Sequence, residues 1–225
     1  MSIILSDGEF PQNPIPLQLL READTVYCCD GAIRKLARWL GDGNALKSKE
    51  IFVVGDGDSL SSPEWERLQQ QLGGYTLIRH KESEQDYNDL TKAFRFARQR
   101  GEKELTFIGA TGLREDHTLG NISLMVYYLQ QGNGMKISMV TDYGIFTPIT
   151  QTTTFASFPR QQVSIFCMDG CRLTSQGLQY PLDNRALGQW WEGTLNAALG
   201  DAFTLSIPPS TSAQVLVYQT HLPKE

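Results

Sequence analysis

Residues 26–40, VYCCDGAIRKLARWL, and residues 51–59, IFVVGDGDS, decide the fold between them. The apolar run Val26–Cys29 reads as a strand that breaks at Asp30-Gly31. Behind the break, Ile33, Leu36, Ala37 and Leu40 recur at the spacing of one helix face. Ile51–Val54 repeats the strand, and Gly55-Asp56-Gly57-Asp58-Ser59 repeats the acidic break. Short continuous apolar strands separated by crossover helices are the unit of a parallel sheet covered on both faces.

The alternation continues downstream. Ser62 as N-cap and Pro63 in the first helical position open a helix with Trp65, Leu68 and Leu72 along one face. Tyr75–His80 reads as a strand, Leu90–Arg100 as a helix, Leu105–Ile108 as a strand, Leu119–Leu129 as a helix and Met135–Val140 as a closing strand. The expected class is α/β, with an N-terminal Rossmann-like, mostly parallel sheet over residues 1–142. After Asp142 helical stripes vanish and short Thr-, Ser- and Val-rich runs take over. Val163–Met168, Cys171–Thr174, Leu178–Leu182, Phe203–Ile207 and Val215–Tyr218 read as strands between turn signals at Phe158-Pro159, Asp169-Gly170, Gln176-Gly177 and Pro208-Pro209. Residues 143–225 are therefore expected to form a small all-β sandwich or barrel.

Composition narrows the function. Of the 225 residues, 40% are hydrophobic and 20% charged, enough to bury a core and too apolar for a disordered chain. The formal net charge of −5 argues against general nucleic-acid binding, which needs a basic face. The longest apolar runs are too short to span a bilayer, and MSIILSDGEF has no basic flank of a signal peptide, so a cytoplasmic protein is expected. Adjacent Cys28 and Cys29 read as small core residues. Asp169-Gly170 is a two-residue hairpin signal, which sets Met168 opposite Cys171 and turns Cys167 to the other face. Neither a zinc site nor a disulfide framework is expected from these four cysteines.

The informative feature is where the aspartates fall. Asp30 follows the first of these strands, Asp56 and Asp58 the second, Asp86 and Asp89 the third, and Asp116 the fourth. In a parallel sheet these loops leave at one edge, the carboxyl end, where open α/β sheets bind ligands. Gathered carboxylates need a cation, and hard oxygen donors suit Mg²⁺ shared with substrate phosphates. Asp86 and Asp89 share a face if their helix begins near Asp86. Lys92 and Arg114 come from the same loops as cations for phosphate oxygens, and Gly109 and Gly112 allow close backbone approach to a ligand. Taken singly, Asp30 reads as a turn residue, Gly55–Ser59 as a solvated turn and Lys92 as a surface partner of Asp89. No GxxxxGK[ST] loop or GxGxxG fingerprint is present.

Cys29-Asp30-Gly31-Ala32, Gly55-Asp56-Gly57-Asp58-Ser59, the stretch Asp86–Ala93 and the stretch Gly109–Asn121 resemble, in that order, the motifs of the thiamine pyrophosphokinase family. Gly177–Leu182 and, less closely, Gly193–Asn196 extend the likeness into the second domain. The resemblance implies transfer of pyrophosphate from ATP to the hydroxyl of thiamine, giving thiamine diphosphate and AMP with Mg²⁺. It also implies a homodimer with thiamine near the subunit interface. By motif position, Asp30, Asp56, Asp58, Asp86 and Asp89 correspond to the acidic, metal-binding set, and Lys92, Arg114, Asp116 and Asn121 to the ATP side. Tyr180, Thr194 and Asn196 correspond to the thiamine side, where an aromatic wall suits the thiazolium cation. Asp86 and Asp89 are both candidates for accepting the hydroxyl proton. The chain departs from the family pattern at Gly57, Asn88, Leu113 and Leu195, with Trp190-Trp191 beside the last as candidate stacking or packing residues. Two other readings compete: a Mg²⁺-dependent phosphotransferase or hydrolase acting on another nucleotide, and a non-catalytic nucleotide-sensing module.

Overall fold

The chain begins in the middle of its parallel sheet. In the computed structural model, which describes residues 1–208 and 213–223, β1 (Ser2–Leu5) leads through α1 (Pro14–Glu22) to β2 (Thr25–Cys29) and α2 (Ala32–Gly41). β3 (Glu50–Gly55), α3 (Ser62–Gln71), β4 (Thr76–Lys81), α4 (Asp89–Gln99), β5 (Glu104–Ile108), α5 (Glu115–Gln131) and β6 (Lys136–Val140) follow. The six strands pair in parallel in the order β6-β5-β1-β2-β3-β4. The chain divides into two compact units, residues 1–123 with 132–142 and residues 124–131 with 143–225. The second half of α5 thus groups with the later unit.

Both faces of the parallel ladder are buried, which explains strands that read as continuous apolar runs. Ile3, Leu5, Val26, Cys28, Ile51 and Val53 point to one face, against Ile33, Leu36 and Leu40 of α2 and Leu68 of α3. Tyr27 and Phe52 point to the other, stacked with ring centroids 5.2 Å apart, and Phe96 of α4 meets both edge-on. β1 and α1 are absent from the sequence expectation. Ile3–Leu5 is a very short run at the start of the chain, and Pro14 and Pro16 discourage a helix reading. Yet prolines belong in a first helical turn, and Asn13 caps this one by accepting from the Ile15 N–H. α3 has Ser61 in its N-cap position, one residue earlier than expected and without a side-chain capping bond, and α4 starts at Asp89 behind the Asn88 cap. Asp86 therefore lies outside that helix, and the expected shared face of Asp86 and Asp89 does not form.

In the second unit, β7 (Gly144–Ile149), β8 (Thr153–Ala156), β9 (Gln161–Cys167), β10 (Arg172–Gln176) and β11 (Arg185–Ala186) precede a 3₁₀ turn at Trp190–Gly193. β12 (Asn196–Ala197), β13 (Ala202–Ser206) and β14 (Val215–Pro223) complete it. Two antiparallel ladders result, β12-β9-β14-β7 and β11-β10-β13-β8. Val163, Ile165, Val215 and Val217 of the first ladder and Phe155, Leu173, Phe203 and Leu205 of the second share one core. This is a β-sandwich. β7 and β8 lie outside the sequence expectation, and Leu178–Leu182 is not a strand, contributing one isolated bridge from Leu178 to Ala198. Pro209, of the Pro208-Pro209 turn signal, lies outside the described residues.

The Asp169-Gly170 expectation also needs correction. β9 and β10 belong to different ladders, so the turn carries the chain between sheets and closes no hairpin. Cys167 and Cys171 are both buried and pair as a disulfide, with Cα atoms 6.2 Å apart. With Asp169 they are also the one group of three potential metal ligands within 4.8 Å among the described residues. Cys28 and Cys29 are free and buried. No helix among the described residues is long and apolar enough to cross a membrane.

Candidate active site

Chain order fixes where a ligand can sit. From β1 the sheet grows through β2 and β3 to β4; the chain then returns to place β5 on the other side of β1. The loops after β1 and β5 diverge at this reversal, the position where open α/β sheets bind ligands. They are tied together by backbone bonds, from the Ser6 N–H to the Ile108 carbonyl, Gly8 to Gly109 and Glu9 to Thr111. A crevice of about 340 Å³ opens here, lined among others by Asp7, Cys29, Asn88, Asp89, Arg114, His117 and Asn121. Gly109 and Gly112 both pack against the loop that follows β1, and Gly112 also lines the crevice. A Cβ at Gly109 would stand 2.9 Å from the Ser6 carbonyl oxygen, and one at Gly112 2.6 Å from the Glu9 side chain.

Asp89 lies within electrostatic reach of two more of the sequence-expected acids, Asp30 and Asp56. Asp30 is buried at the end of β2 and accepts a 3.1 Å hydrogen bond from the Ser59 N–H. Asp56 accepts from the Asp58 N–H at 3.0 Å and from Gln85 at 3.3 Å. The bond from the Asp58 amide is the main reason its carboxyl sits below the usual range. Half-buried Asp89 is pushed the other way, above the usual carboxylate range. Burial is the chief cause, and the charges of Asp30 and Asp56 add to it. Lys92, itself buried, opposes the shift from 3.7 Å but does not cancel it. Asp58 and Asp86 are exposed, and no partner contacts either carboxylate among the described residues.

The remaining candidates on this side are placed as follows. Asn121 donates to the Ala110 carbonyl at 2.8 Å and accepts from Asn88 at 3.4 Å, which ties the start of α4 to α5. Asn88, where the family pattern differs, serves as the α4 cap by accepting from both the amide and hydroxyl of Thr91. Arg114 is mostly exposed and forms a two-point ion pair with Asp116, at 2.6 and 3.1 Å. Leu113 takes a left-handed φ of 64° with its side chain exposed.

Two functional neighbours escape the sequence reading. Asp7 lines the crevice and pairs with Lys35 at 2.7 Å, while the Lys35 ammonium also donates to the Asp7 and Gly8 carbonyls. Its signal is present: Asp7-Gly8 follows an apolar run, as Asp30-Gly31 does. Arg79 of β4 donates to the carbonyls of Gly57 (2.8 Å) and Leu60 (3.1 Å), so it anchors the acidic turn. Gly57 has a φ of 80°, and a Cβ there would lie 2.8 Å from the Arg79 guanidinium. The departure from the family pattern at Gly57 is thus the room that Arg79 occupies.

In the second unit, Asn196 is buried and its amide is spent on structure. It accepts from the Tyr180 and Ala197 N–H groups and donates to the Tyr180 carbonyl. Tyr180 is thereby fixed by its backbone with its ring 61% exposed. The Thr194 hydroxyl donates to the Trp191 carbonyl at 2.7 Å. Leu195 adopts a left-handed φ of 63° and is exposed. Trp190 packs edge-on to Phe166 at 6.2 Å, whereas Trp191 is exposed.

Comparison with known proteins matches residues 17–138 to the catalytic domain of thiamin pyrophosphokinase and residues 144–218 to its substrate-binding domain. Among solved structures, thiamine pyrophosphokinase from Bacillus subtilis is 22% identical, with a TM-score of 0.73 over 98% of this chain and 99% of that one. The enzyme from Candida albicans is 16% identical, with a TM-score of 0.75 over 97% and 88%. The yeast enzyme is 18% identical, with a TM-score of 0.73 over 97% and 86%. At these identities the structures establish a common fold. No curated protein matches the sequence.

Proposed function

Because the chain belongs to the thiamin pyrophosphokinase family, it is a thiamine diphosphokinase that transfers pyrophosphate from ATP to thiamine, and we propose that the acidic crevice of the first unit is where transfer occurs. The grouping of Asp30, Asp56 and Asp89 around buried Lys92 carries this placement. Such a concentration of negative charge is unfavourable to the fold alone and suits a site completed by a cation and a polyanion.

The donor set fits Mg²⁺. It offers carboxylate oxygens, and the Cys29 thiol beside it is pushed far up by burial and supplies no thiolate. Asp30, Asp56 and Asp89 would hold the ion, with Asp58 and Asp86 completing the set from the exposed side. When bound, Mg²⁺ neutralises and orients the triphosphate oxygens. The chain's own residues supply the rest. The thiamine oxygen bonds to the β-phosphorus as the bond from that phosphorus to the α–β bridging oxygen breaks, and AMP departs. Asp89, half-buried in the crevice beside Lys92 while Asp86 stands exposed, takes the hydroxyl proton. Lys92 offsets charge on the phosphates, and Arg114 exchanges Asp116 for a phosphate oxygen as ATP enters. Tyr180 forms the thiamine wall, with Asn196 holding it in place, and Thr194 belongs to the thiamine side by its motif position.

A homodimer and a cytoplasmic location complete the reading, on the strength of the family resemblance. The family assignment disfavours the hydrolase and sensor alternatives. The deciding assay mixes purified protein, ATP, Mg²⁺ and thiamine, and measures AMP and thiamine diphosphate. Equal yields of the two are expected; nucleotide release without thiamine would overturn the reading.

A further inference from the structure

In the second unit, the turn from β9 to β10 gathers metal-ligating side chains that the transfer chemistry above does not use. Cys167 and Cys171 stand at its two ends, both buried, with exposed Asp169 between them. The two sulfurs and a carboxylate oxygen all lie within 4.8 Å of one another. Three features prepare the group for an ion. Asp169 Oδ1 is 3.5 Å from the Cys167 sulfur, while its Oδ2 accepts from the Gln214 N–H at 3.2 Å, which aims the carboxylate. The Cys171 N–H points at the Cys167 sulfur from 3.0 Å, a backbone donor that offsets the charge of a thiolate. Gly170 has a φ of 71°, and a Cβ built there would meet nothing within 4 Å, so the turn is open on that side. The expectation of no zinc site rested on a hairpin that set Cys167 and Cys171 on opposite faces, and no hairpin forms.

We propose that Cys167, Asp169 and Cys171 bind one zinc ion when the disulfide is reduced. Close cysteine pairs serve as disulfides in oxidising surroundings and as metal ligands in reducing ones. A thiol reductant supplies the two electrons and two protons that open the bond, itself becoming a disulfide. Zinc then takes the place of both thiol protons, which pass to solvent as two Zn–S bonds form. Bonds of about 2.3 Å in a tetrahedral site hold two sulfurs about 3.8 Å apart. With Cα atoms 6.2 Å apart, side-chain rotation reaches that separation. Asp169 is the third donor and water the fourth. Two thiolates make the set too soft for Mg²⁺, which separates this site from the carboxylates of the acidic crevice. The ion has a structural role. The Met168 N–H donates to the Gln214 carbonyl at 2.8 Å, and Gln214 in turn holds Asp169 just before β14. Zinc on Asp169 and both cysteines fastens the passage between the two ladders to the start of β14.

The test reduces the full chain with a phosphine, strips it with a chelator and titrates it with cobalt(II), followed by zinc in competition. Thiolate-to-cobalt charge-transfer absorption reports sulfur ligation, and carboxylates of the acidic crevice cannot produce it. Wild type should take up one cobalt per chain in this form, and zinc should bleach the band. Cys167→Ser and Cys171→Ser should lose it. Asp169→Asn should keep the band with affinity weakened about tenfold or more, since loss of even an outer-shell partner weakens metal sites by about 10–100-fold. Reduced wild type without the band, a band that survives both serine variants, an Asp169→Asn affinity equal to wild type, or a disulfide that resists the phosphine in the native protein would overturn the proposal. If the serine variants fail to fold, zinc-edge X-ray absorption of the wild type decides. Two sulfur neighbours at about 2.3 Å support the site, and a shell of oxygen and nitrogen alone refutes it. None of these readouts involves thiamine diphosphate synthesis, so their failure leaves the proposed function standing.

Discussion

At the amino ends of the parallel strands, the charges that meet the ladder are matched by partners. Glu102 accepts from the Tyr27 hydroxyl at 2.7 Å and the Ser2 hydroxyl at 2.6 Å, and Arg100 donates to Tyr27 while covering the Phe52 ring at 4.2 Å. Asp24 lies between the N-terminal amine at 2.8 Å and Lys47 at 2.5 Å. At the carboxyl ends of the same strands, Asp30 and Asp56 both press on Asp89, with Lys92 as its buried counter-charge. The same ladder of backbone bonds supports both edges, so the fold itself does not require the imbalance. Charge that is compensated at one end and left over at the other marks where stability has been traded for binding.

The sharpest way to break this contrast is Asp89→Asn. If Asp89 accepts the hydroxyl proton, kcat should fall by about 100-fold or more. The fold should not weaken. A carboxyl raised above its ordinary value favours the folded state when protonated, so ionised Asp89 opposes folding near neutral pH and the neutral amide removes that opposition. Urea midpoints that hold or rise, alongside lost turnover, meet the expectation. A variant with lost stability and full activity would reverse the roles of the two edges.

Glu102→Ala probes the opposite end. The buried hydroxyls of Tyr27 and Ser2 lose their acceptor, which should cost about 2 kcal/mol. The kcat of the folded fraction should stay within about twofold of wild type, a split that denaturation curves and activity at low temperature measure together. Gly57→Ala falls between the two edges in kind and below both in size. Its Cβ would collide with the Arg79 guanidinium that anchors the acidic turn, at a backbone angle unfavourable for alanine. About 1 kcal/mol of stability and a several-fold loss of kcat/KM for ATP are expected. Arg79→Ala in the same background relieves the collision but neither the backbone angle nor the loss of the bonds to Gly57 and Leu60, so neither stability nor turnover should return to wild type, as both measurements on the double variant can show.

Much of the acidic edge is legible in the amino-acid sequence. Asp30, Asp56 and Asp89 each sit beyond an apolar run, and a parallel sheet brings such positions to one edge whatever their separation along the chain. Asp7 obeys the same rule but follows β1, whose four residues at the chain start give too weak a strand signal. Without β1, the reversal between β1 and β5 that locates the crevice is hidden as well. Arg79 is invisible for a different reason. Its role depends on the strand register that sets it beside Val53, under the acidic turn, and register is not written in local pattern. In the second unit, Asp169-Gly170 has the chemistry of a hairpin turn, yet Val163–Cys167 and Leu173 bury side chains in one core from opposite ladders. The shared core outweighs the local turn preference and brings Cys167 and Cys171 together.

The smallest expected effect concerns Asp24, where the comparison becomes a matter of pH. Its carboxyl is lowered to about 2, first by the hydrogen bond from Lys47 and then by that from the N-terminal amine. The ordinary value, 3.8, stands for the unfolded chain. A depressed folded-state pKa stabilises the fold above the unfolded value and loses that contribution as pH falls through the folded one. Thermal midpoints of wild type and Asp24→Asn should therefore differ slightly at pH 7, converge between about pH 4 and pH 2, and coincide below. The group is fully exposed, so added salt should shrink the difference at pH 7 as well. Asp89→Asn should show the opposite trend, its relative advantage fading as acid neutralises wild-type Asp89. If both variants moved in the same direction with pH, the two edges of the sheet would not differ in the sign of their charge energetics.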